Sequence, residues 1–172
     1  MCPVNLIRRF NIKKLFHFTD VSNIDSIRNN GGLLSIEALQ RQSVVPARPG
    51  GNDWSHEADQ VKDLHRYVHL SFMDQHPMRY IAEREGRIGP VRLLEINPEV
   101  LFLPGVLYTA DVSNKTNVPS LDLHQAVEQI DFEVIYDRTN WRDPLIQVRR
   151  RHAQKAEILI PNSVPLAMIR NI

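Results

Sequence analysis

The sequence predicts an α+β fold with a mainly antiparallel sheet, and three observations lead there. Segment 67–72 alternates apolar and polar residues with the period of a strand, and 91–96 also reads as a strand. Between them, short stretches open on a Ser or Asp cap or a first-turn proline and several close at glycine, the signals of brief helices. A length of 172 residues suits one domain that buries its own core, so a single unit over residues 1–172 is expected.

Taken in order, residues 6–15 alternate apolar and basic side chains and lead into Leu15-Phe16-His17-Phe18-Thr19, an aromatic-rich strand with His17 and Thr19 on one face. Ser22 with Asp25 forms a capping box for a short helix, which Gly31-Gly32 ends. His17, Thr19 and Asn23 then meet where a strand end adjoins a helix N-terminus, a place whose unpaired amides favour anions. Residues 35–40 make another short helix. Residues 42–53 read as a long loop broken by Pro46, Pro49, Gly50 and Gly51, with Arg41 and Arg48 beside or within it, a lid-like segment suited to deliver a cation to a ligand.

In the middle strand Tyr67, His69 and Ser71 face one way and Val68, Leu70 and Phe72 the other. Pro77 opens a helix reaching Glu85, 91–96 is a strand, 98–102 a tight connection and Pro104-Gly105 a turn. Residues 110–120 are loop, 120–129 a capped amphipathic helix and 131–136 a further short element. Asp143-Pro144 is the N-cap and first turn of a helix through Ala153. Ile158, Leu159 and Ile160 form a buried strand stopped by Pro161, and 166–172 closes the chain as a strand.

Composition narrows the class. With 42% hydrophobic and 24% charged residues the chain is globular, and no apolar run approaches the roughly 20 residues of a membrane span. The single cysteine, Cys2, permits no intramolecular disulfide, and the first residues lack a secretory apolar region, so a cytoplasmic protein without membrane contact is expected. A net charge of +1 gives no general argument for nucleic acid. Its distribution says more, because Arg138, Arg142, Arg149, Arg150, Arg151 and Lys155 crowd the approach to the strand at 158–160, either as a solvated helix face or as a polyanion site.

Glu157 stands at the mouth of that strand, where the cations just before it would keep it ionised by proximity. A fixed anion there suits the stabilisation of developing positive charge; the same pattern also fits a strand-end carboxylate paired with Lys155 or Arg149. Other chemistries lack their residues. The seven histidines are scattered with no zinc spacing, Cys2 has no evident base, and neither a phosphate-binding loop nor Gly-x-Gly-x-x-Gly occurs. A magnesium nuclease would want Glu-x-Lys, whereas the order here is Lys155-Ala156-Glu157.

Phe16-His17-Phe18-Thr19-Asp20-Val21-Ser22-Asn23-Ile24, Gly31-Gly32-Leu33, Pro49-Gly50-Gly51, His76-Pro77-Met78-Arg79-Tyr80 and Lys155-Ala156-Glu157-Ile158-Leu159 follow one another over nearly the whole chain. In this order and spacing the sequence resembles the DarT family of DNA ADP-ribosyltransferase toxins. The resemblance implies an ADP-ribosyltransferase-like split antiparallel sheet with flanking helices, NAD as co-substrate with no metal, and transfer of ADP-ribose to thymine or guanine in single-stranded DNA. Glu157 would be catalytic, with Arg41 as the active-site arginine and Arg48 in reserve. His17, Thr19, Asn23 and Arg41 would hold NAD. Trp141, Arg142, Arg149, Arg150 and Arg151 would meet the DNA, and a macrodomain antitoxin of the DarG kind would be the partner. The competing expectations are an RNA or protein acceptor, and a non-catalytic nucleic-acid-binding module of the same fold.

Overall fold

The computed structural model describes residues 2–48 and 62–172. The loop motif Pro49-Gly50-Gly51 and the segment around Trp54 lie outside the described residues. In chain order the elements are α1 (Pro3–Arg9), β1 (Leu15–Asp20), α2 (Ile24–Asn29), β2 (Gly32–Leu34), α3 (Ile36–Arg41), β3 (Tyr67–Ser71), α4 (Pro77–Arg84), β4 (Val91–Ile96), β5 (Leu107–Thr109), α5 (Leu123–Gln129), α6 (Phe132–Tyr136), α7 (Pro144–Ala153), β6 (Glu157–Pro161) and β7 (Ser163–Pro165).

Five strands form one sheet in the order β4-β1-β3-β6-β5, and β2 pairs with β7 in a second; every pairing is antiparallel, as the alternating strands predict. The core gathers the apolar faces of these strands with α1, and Leu6, Leu15, Leu70, Leu94, Ile158 and Ile160 are essentially sealed from solvent.

The main sheet is open in its middle. β1 pairs with β4 along its whole length, Leu15↔Ile96 to Asp20↔Val91, yet meets β3 in register only at Phe16↔Ser71. Beyond that point the two strands part, and the His17 ring bridges them through Nδ1, 2.9 Å from the carbonyl oxygen of His69. The split that the family resemblance implies is therefore a gap between β1 and β3.

Three local expectations are corrected. Residues 3–9 form a helix rather than an alternating lead-in: Pro3 occupies the first turn and Leu6 is buried while Val4, Asn5, Arg8 and Arg9 stay exposed, a helical rather than a period-two pattern. The turn into α2 is capped by Asp20, not Ser22. The buried Asp20 carboxylate accepts the amide and hydroxyl of Ser22 at 2.8 and 2.6 Å, and its other oxygen accepts the Gly89 amide. Those bonds hold its pKa below the usual carboxylate range, the Ser22 hydroxyl contributing most. Finally, 166–172 is no strand: Leu166–Met168 is a 3-10 turn and Ile169 makes one bridge to Ile96, while the strand lies earlier, in β7, and is ended by Pro165.

Candidate active site

Glu157 opens β6 opposite Ser71 of β3 and Thr109 of β5, and it is 6% exposed. Its Oε2 accepts the backbone amide of Ser113 at 3.1 Å and lies 3.4 Å from His69 Nδ1, while Oε1 lies 3.4 Å from His76 Nε2. Burial pushes the carboxyl toward the neutral form, but the His69 hydrogen bond, the charges of His69 and His76 and the Ser113 bond together outweigh it and hold the pKa down to about 2.

Two of the cations expected to keep Glu157 ionised, Arg149 and Arg150, are engaged elsewhere. Arg149 forms a bidentate pair with Asp131 at 2.6 and 2.9 Å and reaches Glu133, which raises its own pKa, and Arg150 points at the carbonyl of Val134. Neither pairing foreseen for a strand-end carboxylate, with Lys155 or with Arg149, is made among the described residues. His69 and His76 do that work first, with the loop after β5 adding the Ser113 bond, and Lys62 pins this loop: its ammonium donates to the carbonyls of Ser113 at 2.7 Å, Val118 at 3.0 Å and Lys115. Ser113 thus faces Lys62 with its carbonyl and Glu157 with its amide.

On the other side of the gap, His17 is half-buried. A carbonyl only accepts, so the His17 nitrogen facing His69 O carries the proton and Nε2 is left as an acceptor. Burial lowers the His17 pKa, so the ring is neutral near pH 7. Thr19 Oγ1 accepts from Asn23 Nδ2 at 3.2 Å. Asn23 also clasps the backbone of residue 48 in both directions, Nδ2 donating to Arg48 O at 2.7 Å and Oδ1 accepting the Arg48 amide at 3.1 Å. Its side chain is thereby largely committed to holding the loop. Asn23→Ala is expected to cost about 1–3 kcal/mol, read by thermal melting, and to speed hydrogen exchange of the Arg48 amide; an unchanged exchange rate would show that the clasp is not what orders this loop.

These residues border one cleft of about 690 Å³, within the roughly 300–1,000 Å³ of small-ligand sites. Its polar lining includes His17, Thr19, Asn23, Arg48, His69, His76, Ser113 and Glu157, set among apolar walls from Phe16, Phe18, Leu33 and Met78. Of the two candidate arginines only Arg48 lines the cleft. Arg41 turns away to Asn162 Oδ1 at 3.2 Å and Glu37 at 3.7 Å.

Trp141, Arg142, Arg149, Arg150 and Arg151 lie in α7 and the segment before it, outside the cleft lining. Trp141 is 67% exposed with the Arg142 guanidinium 5.3 Å from its ring centre. Sequence reasoning missed Ser113, His69 and His76 as site residues. Ser113 carries no local signal; His69 shares the polar face of β3 and His76 precedes the helix-opening Pro77, so both were visible as positions but not as neighbours of Glu157.

Among the described residues no group of three or more His, Cys, Asp or Glu is placed to hold a metal, and no helix is long and apolar enough to cross a membrane. The family described as "ssDNA thymidine ADP-ribosyltransferase, DarT" matches residues 16–172. No curated protein sequence matches the chain. Among solved structures it is similar to Thermus sp. 2.9 DarT in complex with ADP-ribosylated ssDNA, at 21% identity and a TM-score of 0.68 over 92% of this chain and 79% of that one. The same Thermus protein in complex with NAD+ matches at 21% identity and a TM-score of 0.61, covering 92% and 80%. Thermosipho africanus DarTG in complex with ADP-ribose matches at 16% identity and 0.61, over 91% of this chain and 42% of that longer one.

Proposed function

This chain belongs to the DarT family of single-stranded DNA thymidine ADP-ribosyltransferases, and from that membership we propose that it is an NAD-dependent enzyme modifying thymine in single-stranded DNA, with the cleft beside Glu157 as the place of reaction. One observation carries the assignment of the site: a buried, ionised carboxylate bonded at Oε2 and approached by His76 at Oε1, facing the gap between β1 and β3. The likeness to a Thermus protein seen with NAD+ and with ADP-ribosylated ssDNA supports the same reading.

The residues present fit NAD. Apolar walls suit its flat rings, and Arg48 at the rim suits its pyrophosphate better than Arg41, which is turned away. NAD would supply the ADP-ribosyl group: its bond to nicotinamide breaks, nicotinamide leaving as the neutral base, while the bond to the thymine nitrogen forms and that nitrogen's proton passes to solvent. His17 Nε2 accepts a hydrogen bond from the nicotinamide side, and Thr19 with Asn23 keeps the strand end and its loop together. Glu157 places its negative charge where positive charge develops at the anomeric carbon. A carboxylate held near 2 is a poor proton acceptor at neutral pH, so its charge rather than its basicity is its contribution.

For DNA, exposed Trp141 stacks a base while Arg142 and Arg151 meet phosphates; Arg149, locked to Asp131, serves the packing of α6 on α7 instead. Trp141→Ala is expected to weaken oligonucleotide binding roughly tenfold, since a stacked base is worth about 1–3 kcal/mol; fluorescence anisotropy with a labelled strand checks it, and unchanged affinity would remove Trp141 from the DNA path. A toxin role in the cytoplasm, reversed by a macrodomain partner of the DarG kind, is part of the same proposal, supported by the likeness to a DarTG chain.

Mass spectrometry of single-stranded oligonucleotides, each with one type of target base, incubated with NAD tests the whole reading. An ADP-ribose adduct on the thymine strand alone is expected. An adduct on guanine would correct the base, adducts only on RNA or protein would correct the acceptor, and DNA binding with no turnover would leave a non-catalytic module.

A further inference from the structure

His76 is 3% exposed and sits immediately before α4 with its backbone extended, the conformation imposed by the ring of Pro77 that follows. Its Nε2 is sealed from solvent and makes no aligned hydrogen bond among the described residues. A buried polar atom left in that condition costs free energy, so its surroundings call for a reason. The polar atom it faces is Glu157 Oε1 at 3.4 Å, off-axis for a formed hydrogen bond but close enough for an electrostatic contact.

The groups arranged around Glu157 complete the picture. His69 reaches Oε2 from β3 and also lies 3.2 Å from the Ser113 hydroxyl; the Ser113 amide reaches Oε2 from the loop after β5; Ser71 and Thr109 flank Glu157 across the strand pairs. One carboxylate oxygen is therefore served twice. The other depends on His76. Without it, Oε1 would lose its histidine contact, and the carboxylate would be freer to turn about its Cγ–Cδ bond.

We propose that His76 is a positioning residue for Glu157, its Nε2–H holding Oε1 so that the carboxylate is fixed in plane and kept anionic before NAD arrives. The inference rests on the transferase reading above, in which Glu157 acts by its charge. It differs from a packing role because the ring's nitrogen, rather than its volume, matters.

The test compares the full chain with His76→Ala and His76→Gln, the glutamine amide nitrogen reaching about where Nε2 stands. Steady-state kinetics for NAD on a thymine oligonucleotide are measured beside a carbon-13 NMR titration of the Glu157 carboxyl, identified by its loss in Glu157→Gln. In His76→Ala we expect kcat to fall roughly 10- to 100-fold with KM for NAD within about threefold, the scale of one preorganised donor, and the Glu157 titration to move upward by about one pH unit or more. His76→Gln should restore most of kcat. A folded His76→Ala protein with unchanged kcat and titration would overturn the proposal. So would a glutamine variant that melts like wild type yet is as slow as the alanine one. If His76→Ala does not fold, the glutamine variant decides alone: kcat within about fivefold of wild type supports the nitrogen's role, and a larger loss overturns it. A wild-type protein inert on every acceptor, whose Glu157 titration still moves when His76 is replaced, would sink the transferase reading and uphold this one.

Discussion

Glu157→Gln is expected to lower ADP-ribosylation of single-stranded DNA by about a thousandfold or more, equivalent to about 4 kcal/mol of transition-state stabilisation. The substitution keeps the size and planarity of the side chain and removes its charge. In a site 6% exposed, that charge is the main asset on offer. Binding of NAD should change only a few-fold, because the charge is needed as the bond to nicotinamide breaks rather than before. Adduct formation by mass spectrometry and NAD affinity by calorimetry separate the two; a glutamine variant with even a tenth of wild-type turnover would remove Glu157 from its catalytic place.

The same variant should alter acid stability, and the sign follows from the depressed pKa. A carboxyl at about 2 in the folded protein, against an ordinary 4.5, contributes stability that is fully present above the unfolded value and lost as pH falls from about 4.5 to about 2. That contribution is on the order of 3 kcal/mol. Glutamine has no proton to exchange, so the variant should start less stable at neutral pH, because its amide nitrogen faces donors, and then lose less on acidification through that window. Equal slopes in the two proteins would mean that His69, His76 and Ser113 do not hold the carboxylate ionised.

Gly32→Ala carries the largest expected effect on folding. Gly32 has φ +140°, a conformation closed to side chains, and a Cβ there would stand 2.0 Å from the carbonyl oxygen of Val164 and 2.8 Å from the amide nitrogen of Leu166. Both are backbone atoms of the chain that β2 pairs with through Leu33↔Val164, so neither can step aside without parting β2 from β7. The cost should exceed about 3 kcal/mol, enough to leave a marginally stable domain largely unfolded at 37 °C. Gly31→Ala is the matched control: φ is +75° but nothing lies within 4 Å of the added methyl, and a loss of about 1 kcal/mol is expected. Thermal melting of the pair checks the difference. Because Leu33 of β2 walls the cleft, the Gly32 variant should also lose activity in proportion to its unfolded fraction.

Much of this was legible in the linear chain, and for local reasons. Strand and helix periods, the proline that stops β6, the Asp143-Pro144 opening of α7 and the aromatic run around His17 are all read from residues within one turn or one strand of each other. Glu157 was recognisable because a lone carboxylate ahead of an apolar run has a defined place at a strand mouth.

What the sequence could not settle was who faces whom. Ser113 lies 44 residues and His69 88 residues from Glu157 along the chain, and only the β3-β6-β5 order brings them to one carboxylate. The arginines nearest in sequence looked like its partners, yet Asp131 and Glu133 take Arg149, because α6 packs beside α7 and the geometry there is bidentate. The sequence favoured Arg41 over Arg48, yet it is Arg48, its backbone clasped by Asn23, that lines the cleft. Local periodicity determined the elements and the position of the carboxylate by itself, whereas the charge state and grip of that carboxylate were decided by tertiary structure, since electrostatics acts through space and burial rather than along the chain.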